Sequence, residues 1–180
     1  MDRERTKTAE NLQKALEGES VVRNKYTYFA QVAREAGDDE AADAFEQMAN
    51  NEMMHAKFWF EHLYGGPTDV KACLREAAQG EHGEWHDMYP EFAREAREEG
   101  LEDLAVTFEK VAAIERSHEN RCLVLLARMD ETAEGTSDKR PVQKRRGYRC
   151  IFCGAVSPRQ LDACQTCGAV GALEQVEYYE

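Results

Sequence analysis

The sequence predicts an all-α four-helix bundle followed by a small domain built around four cysteines. Residues 1–130 are dominated by Ala, Glu, Leu, Arg and Lys, which are strong helix formers, and they contain no proline before Pro67. That stretch also repeats itself at a nearly constant offset. Four of the chain's six cysteines are packed between positions 150 and 167. The domains expected are a bundle over 1–130, a linker over 131–147 and a cysteine domain over 148–180.

Punctuation falls at Gly37-Asp38-Asp39, Gly65-Gly66-Pro67 and Gly100. It divides the first part into four helices of about 25–30 residues, each about 40 Å long. The second is expected over Asp39–Tyr64, and the third near Thr68, a suitable N-cap with Asp69 in the first turn. Sliding the chain by 63 residues superposes Tyr26 on Tyr89, Phe29 on Phe92, Ala33-Arg34-Glu35 on Ala96-Arg97-Glu98, Gly37 on Gly100, Phe45 on Phe108, Glu52 on Glu115 and His55 on His118. In all there are 13 identities over positions 26–55. Upstream the match continues with a slip of one residue, Gly18-Glu19 against Gly80-Glu81. Amphipathic helices match in apolar positions by chance, but not in glycines, tyrosines and Glu-x-x-His. The two helix pairs therefore read as copies of one helical hairpin.

The chain has 180 residues and a formal net charge of −12, with 23 basic and 35 acidic residues. Residues 137–180 hold 7 basic and 5 acidic residues, net +2, which leaves 16 and 30 in residues 1–136, net −14. So acidic a body argues against a nucleic-acid partner. The basic residues of 131–147, with Gly135, Ser137 and Pro141, read as a solvated linker. No apolar run is long enough for a membrane span, and Met1-Asp2-Arg3-Glu4-Arg5-Thr6 leads into no signal-like stretch, so a cytoplasmic protein is expected.

Each repeat supplies one Glu from its first helix and Glu-x-x-His from its second: Glu19 with Glu52 and His55, then Glu81 with Glu115 and His118. Residues i and i+3 share a helix face, so each Glu-x-x-His aims two ligands at one place. Four carboxylates and two imidazoles in a bundle core suit a pair of irons. One Glu-x-x-His in so acidic a chain means little; two at the repeat spacing mean much more. Glu84, three residues after Glu81, is either a seventh ligand or a solvated acid. Tyr26 and Tyr89 fall two turns after Glu19 and Glu81, as hydrogen-bond donors to ligand carboxylates or as core. His62, His82 and His86 read as ordinary surface or core histidines. Met53 and Met54 read as packing residues, and Cys73 and Cys122 as small buried hydrophobes. Trp59 and Trp85 carry no chemical case.

Cys150-x2-Cys153-x10-Cys164-x2-Cys167 is a tetrathiolate pattern, and in a reducing compartment it reads as a metal site rather than as disulfides. Gly154 and Gly168 follow the second cysteine of each pair and let backbone N–H groups turn toward sulfur. Tyr148, Phe152, Val156 and Val170 are expected to supply a small apolar shell. A domain this small depends on its metal to fold. Iron would make it an electron carrier, zinc a structural ribbon.

With these motifs the chain resembles the rubrerythrins over essentially its whole length. The residues that carry the resemblance are Gly18-Glu19-Ser20, Glu52-x-x-His55, Gly80-Glu81-His82-Gly83-Glu84, Asp87-Met88-Tyr89-Pro90-Glu91-Phe92-Ala93, Glu115-x-x-His118 and the two cysteine pairs. The resemblance implies a ferritin-like bundle joined to a rubredoxin-like domain. It implies a non-haem di-iron peroxidase that reduces hydrogen peroxide to water. The implied cofactors are two irons (a di-iron-oxo centre) in the bundle and one iron, or zinc, on the four cysteines. The implied di-iron ligands are Glu19, Glu52, His55, Glu81, Glu84, Glu115 and His118, with one iron moving between His55 and Glu84 as the redox state changes. Tyr26 and Tyr89 are implied as donors to those ligands, and a rubredoxin or an NAD(P)H-dependent reductase as the electron source. Ala155 and Gln165 depart from the family pattern, so the small domain's metal stays open. The competing functions are a ferritin-like ferroxidase or iron-handling protein, a di-iron oxidase of dioxygen, and a di-iron protein with a structural zinc ribbon. A homodimer is expected. The turn at Gly65-Gly66-Pro67 is too short to cross a bundle, so either the second and third helices form an antiparallel hairpin, or the first two helices of one chain pair with the last two of another; the two-fold relation between the repeats favours the exchange.

Overall fold

The structure is a computed structural model that describes residues 6–66, 69–133, 144–151 and 153–179. It divides into two units, Met1–Asp69 and Val70–Glu180. The linker residues 134–143, Phe152 and the expected cap at Thr68 lie outside the described residues.

The first unit is an antiparallel hairpin of α1 (Lys7–Glu35) and α2 (Asp39–Tyr64). Thr6 opens α1, its hydroxyl accepting from the Ala9 N–H at 3.1 Å, and Asp38 opens α2 by accepting from the Ala41 N–H at 3.0 Å. Gly37 makes the turn with φ +78°, a conformation that costs glycine nothing. The helices meet through small residues, Ala30, Ala42 and Ala49, which let the backbones approach closely.

The second unit begins with the matching hairpin. Its first arm consists of α3 (Val70–Gly83), a π-helical turn (Glu84–Met88) and α4 (Tyr89–Glu98); its second arm is α5 (Glu102–Ala133). Here too the contact is alanine: Ala78, Ala93, Ala96 and Ala105. The repeat extends to side-chain geometry. Ring centroids of Tyr26, Phe29 and Phe45 lie 6.2, 6.0 and 5.5 Å apart, and those of Tyr89, Phe92 and Phe108 lie 6.2, 6.1 and 5.6 Å apart. Arg34 reaches across to Glu46 at 2.9 Å, as Arg97 does to Glu109 at 2.7 Å.

The π-turn explains the slip in the repeat. Seven residues separate Glu19 from Tyr26, and eight separate Glu81 from Tyr89. In an unbroken α-helix the extra residue would swing one of the latter pair about 100° out of phase. The turn absorbs it, the Tyr89 N–H donating to the Glu84 carbonyl five residues back. The third predicted helix is thus one arm with a local widening, whereas α1 runs uninterrupted.

After the linker, β1 (Lys144–Cys150) pairs antiparallel with β3 (Leu173–Tyr179) on one side and with β2 (Val156–Ser157) on the other, giving the order β2-β1-β3. Helix α5 runs to Ala133 and β1 starts at Lys144, so both ends of the segment expected as linker carry regular structure. Among the described residues, no helix is long and apolar enough to cross a membrane.

Several expected core residues are exposed. Met53 and Met54 lie open on α2, together with Phe58, and Val21, Phe29 and Val32 lie open on α1. Two helices bury only the stripe between them, so a hairpin leaves its remaining apolar surface uncovered. Cys73 is exposed because it lies five residues from buried Ala78, about 140° around α3; Cys122 is half-buried, and burial raises its pKa.

Candidate metal centres

Each hairpin gathers one carboxylate–imidazole cluster. In the first, ligand atoms of Glu19, Glu52 and His55 lie within 4.8 Å of one another; in the second, those of Glu81, Glu115 and His118 do the same. His55 Nδ1 is 2.8 Å from Glu52 Oε2 and 4.0 Å from Glu19 Oε1. His118 Nδ1 is 2.6 Å from Glu115 Oε2 and 3.6 Å from Glu81 Oε2. The i, i+3 pairs project from α2 and α5, and the single glutamates reach across from α1 and α3.

These carboxylates are in a setting that asks for a cation. Glu19 is held above its ordinary pKa by burial and by Glu52, and Glu81 by burial and by Glu115. Carboxylates pressed together at the cost of ionisation, with an imidazole beside them, fit hard divalent and trivalent metals. The imidazoles lie on the open side: His55 is 56% and His118 is 49% exposed. Each hairpin therefore presents two carboxylates and an exposed imidazole together.

Glu84 begins the π-turn and is half-buried rather than solvated. It is not among the ligand atoms clustered within 4.8 Å. At the upstream offset of 62 its counterpart is Val22, so only the second hairpin carries this extra acid. Tyr26 and Tyr89 are half-buried members of the two aromatic triads. Tyr89 is raised above its ordinary pKa by burial and by the charges of Glu84, Glu115 and Glu81, so its hydroxyl keeps its proton beside them.

Sequence reasoning missed one group in the second hairpin. Glu119 accepts from the Trp85 indole N–H at 2.5 Å and lies 3.0 Å from His82 Nδ1. His82 stacks on His86 with ring centroids 5.1 Å apart, and the Arg116 guanidinium carbon sits 5.1 Å from the centroid of the Trp85 ring. No local pattern announces this set; the signal available was that His82, Trp85 and Glu119 have no counterparts in the first repeat. Trp59, by contrast, has a buried indole N–H with no partner among the described residues.

The four cysteines form the third centre. Cys150 Sγ and Cys167 Sγ are 3.6 Å apart, as are Cys153 Sγ and Cys164 Sγ. A tetrahedron with metal–sulfur bonds of about 2.3 Å has edges of about 3.8 Å, so the sulfurs already stand close to a tetrathiolate geometry. The same sequence, Cys-x-x-Cys-Gly-Ala-Val, makes both halves. In each half the glycine takes a positive φ, +75° at Gly154 and +77° at Gly168, and its N–H donates to the carbonyl of the first cysteine. Burial pushes the Cys153 thiol up to about 12. Burial also acts on Cys164, but N–H groups of Cys167 and Thr166 and neighbouring thiols outweigh it and bring it down to about 7.

The shell around the sulfurs is not the expected one. Ala155, Ala169, Ala172 and Leu173 pack against the cysteines, whereas Val156 is exposed and Val170 is 80% exposed. Successive residues of an extended chain face opposite ways, so Ala169 turns toward the sulfurs and Val170 away from them.

Comparison with known proteins finds one family. The rubrerythrin family model matches residues 10–126 and again 72–146. The two matches begin 62 residues apart, which is the upstream offset of the repeat. Rubrerythrin-1 of Clostridium acetobutylicum is 39% identical over 180 residues, covering 88% of this chain and 90% of that protein. The rubrerythrin of Porphyromonas gingivalis is 36% identical, covering 88% and 86%. A structure titled as a partially reduced state of nigerythrin aligns with 95% of this chain and 87% of its own, at 28% identity and a TM-score of 0.44.

Proposed function

Because the chain belongs to the rubrerythrin family, a family of oxidoreductases with a ferritin-like di-iron part and a rubredoxin-like part, we propose that it is a peroxidase that reduces hydrogen peroxide to water. The observation that carries this reading is the pair of equivalent Glu/Glu/His clusters on one chain with a tetrathiolate site. When bound, two irons supply the two electrons that break the O–O bond, and two protons complete the two waters. Glu19, Glu52, His55, Glu81, Glu115 and His118 hold them, and Glu84 adds a carboxylate on one side only. With iron bound, that extra carboxylate would favour the ferric state on its side, and His55 would be the neutral donor available to replace it on reduction. The Tyr89 hydroxyl, kept protonated by burial and its acidic neighbours, would be the proton donor beside the carboxylates. Cys150, Cys153, Cys164 and Cys167 would hold an iron, which would supply one-electron transfer from a rubredoxin or an NAD(P)H-dependent reductase. A storage protein needs no such carrier. Four free thiols suit a reducing compartment such as the cytoplasm.

The test is anaerobic reduction followed by mixing with peroxide or with air, for the natural chain and for Glu84→Ala. The natural chain is expected to be oxidised faster by peroxide. The variant is expected to keep two irons and lose more than about tenfold in peroxide turnover, or about 1.4 kcal/mol of transition-state stabilisation. Full iron loading with unchanged kinetics would make Glu84 a bystander and favour iron oxidation and storage.

The chain also acts as a dimer in this reading. In a ferritin-like bundle α2 and α3 run parallel, so a connection within one chain must return the length of a helix. Helix α2 has 26 residues, about 39 Å. The six steps from Tyr64 to Val70 span at most about 22 Å. Each α1–α2 hairpin therefore completes its site with α3–α5 of a second copy. Sedimentation of the metal-loaded protein is expected to give a dimer at all concentrations that retain iron. A monomer with both irons would rule the exchange out.

A further inference from the structure

We infer that Glu119 is a positioning residue whose carboxylate clamps the π-turn Glu84–Met88 to α5 through Trp85 and His82, and so fixes where Glu84 is presented. A π-turn is wider than the helix around it and persists only when its surroundings hold it. Here the hold is visible. Trp85 is the second residue of the turn, and its N–H meets Glu119 Oε2 at 2.5 Å, while His82, on the last turn of α3, faces Oε1 at 3.0 Å. Both carboxylate oxygens are thus used, one on each side of the point where the helix widens. The Glu119 side chain is only 15% exposed, which strengthens both bonds. Arg116, one helical turn before Glu119, lies against the Trp85 ring and holds the indole in place.

The first hairpin serves as an internal control. Its counterparts of Glu119, Trp85 and His82 are Ala56, Arg23 and Ser20, and its helix α1 is unbroken. Clamp and π-turn occur together in one repeat and are absent together from the other. Without the clamp the extra residue is free to migrate along the arm, and Glu84 loses its fixed angle to Glu81. The functional consequence rests on the reading of Glu84 as an iron ligand; the clamp does not.

The experiment uses the full chain, metal-free and iron-loaded, as natural protein, Glu119→Ala, Glu119→Gln and Trp85→Phe. Hydrogen exchange in the metal-free protein reads the clamp alone. Glu119→Ala and Trp85→Phe are expected to speed exchange of amides 84–89 by about tenfold or more, with amides 39–64 unaffected. Glu119→Gln keeps an acceptor for the indole and is expected to stay within about threefold of the natural chain. In the iron-loaded protein, Glu119→Ala is expected to retain two irons, to shift the ferric absorption bands as Glu84→Ala does, and to slow oxidation by peroxide about tenfold, with Glu119→Gln restoring both. Natural exchange rates in Glu119→Ala, or equal damage from Gln and Ala, overturn the clamp. If Glu119→Ala fails to fold, Trp85→Phe and Glu119→Gln decide by the same criteria. Fast exchange without any change in peroxide rate keeps the clamp and counts against the role of Glu84 instead.

Discussion

Glu115→Ala is expected to empty the di-iron centre and at the same time to raise the melting temperature of the metal-free protein. Glu115 stands between Glu81 and His118, so its loss removes the carboxylate best placed to bind or bridge metal. Iron content should fall below one per site and peroxide turnover by about a thousandfold, roughly 4 kcal/mol. The opposite effect on the metal-free chain follows from the pKa direction. Burial and the Glu115 charge raise Glu81 above its unfolded value, so folding favours the protonated acid. Stability from this group is present at low pH and is lost as pH rises through the range between the unfolded and folded values. Removing Glu115 relieves part of that loss, and the metal-free variant should melt higher near neutral pH. With metal bound the sign reverses, because protons compete with the metal for the same oxygens. Thermal melts of both forms across pH, alongside iron analysis, check the pair. A metal-free variant that melts lower than the natural chain would mean that Glu115 serves the fold rather than the metal.

Cys150→Ser is expected to unfold the small domain while leaving the helical part loaded. Cys150 is 1% exposed, and its sulfur is one corner of the tetrathiolate set, 3.6 Å from that of Cys167. Oxygen is a harder and shorter ligand than sulfur and does not complete that tetrahedron. The domain has little else to hold it: its buried cluster consists of Cys150, Cys164 and Ala172. Metal in comparable small domains supplies about 10–16 kcal/mol, more than such a cluster can replace. The thiolate colour should vanish and the residues of β1 and β3 should exchange freely. Chemically reduced protein should still be oxidised once by peroxide, but repeated turnover from an external donor should stop. Continued turnover at the natural rate would show that electrons reach the bundle by another route.

The helices, the hairpin repeat and all three donor clusters were legible because each is written in a local period. Glu-x-x-His needs only the helix pitch, and Cys-x-x-Cys needs only a tight turn. What depends on a third dimension was not legible. The one-residue slip between Glu19 and Glu81 was visible as arithmetic, but nothing in it says that the extra residue is absorbed as a π-turn at Glu84–Met88. Glu119 follows His118 directly and was lost among 35 acidic residues, since its bonds to Trp85 and His82 depend on the relative phase of two helices. Side-chain type points Met53, Met54 and Cys73 inward, but burial is decided by what covers a face. Size and hydropathy point to the larger apolar residues as the cysteine shell, whereas close sulfur packing selects Ala155, Ala169 and Ala172.

The π-turn has a bearing on descent. A duplicated hairpin begins with two interchangeable halves, and a centre built from interchangeable halves has no front or back. One inserted residue between Glu81 and Tyr89, together with an acid where the other copy keeps Val22, ends that equivalence. The two halves then evolve under different constraints, one free to stay an ordinary helix and the other obliged to keep its irregularity. The two copies thus differ by the extra residue, by the acid at Glu84 and by the side chains His82, Trp85 and Glu119 that hold the turn, where the other copy has Ser20, Arg23 and Ala56.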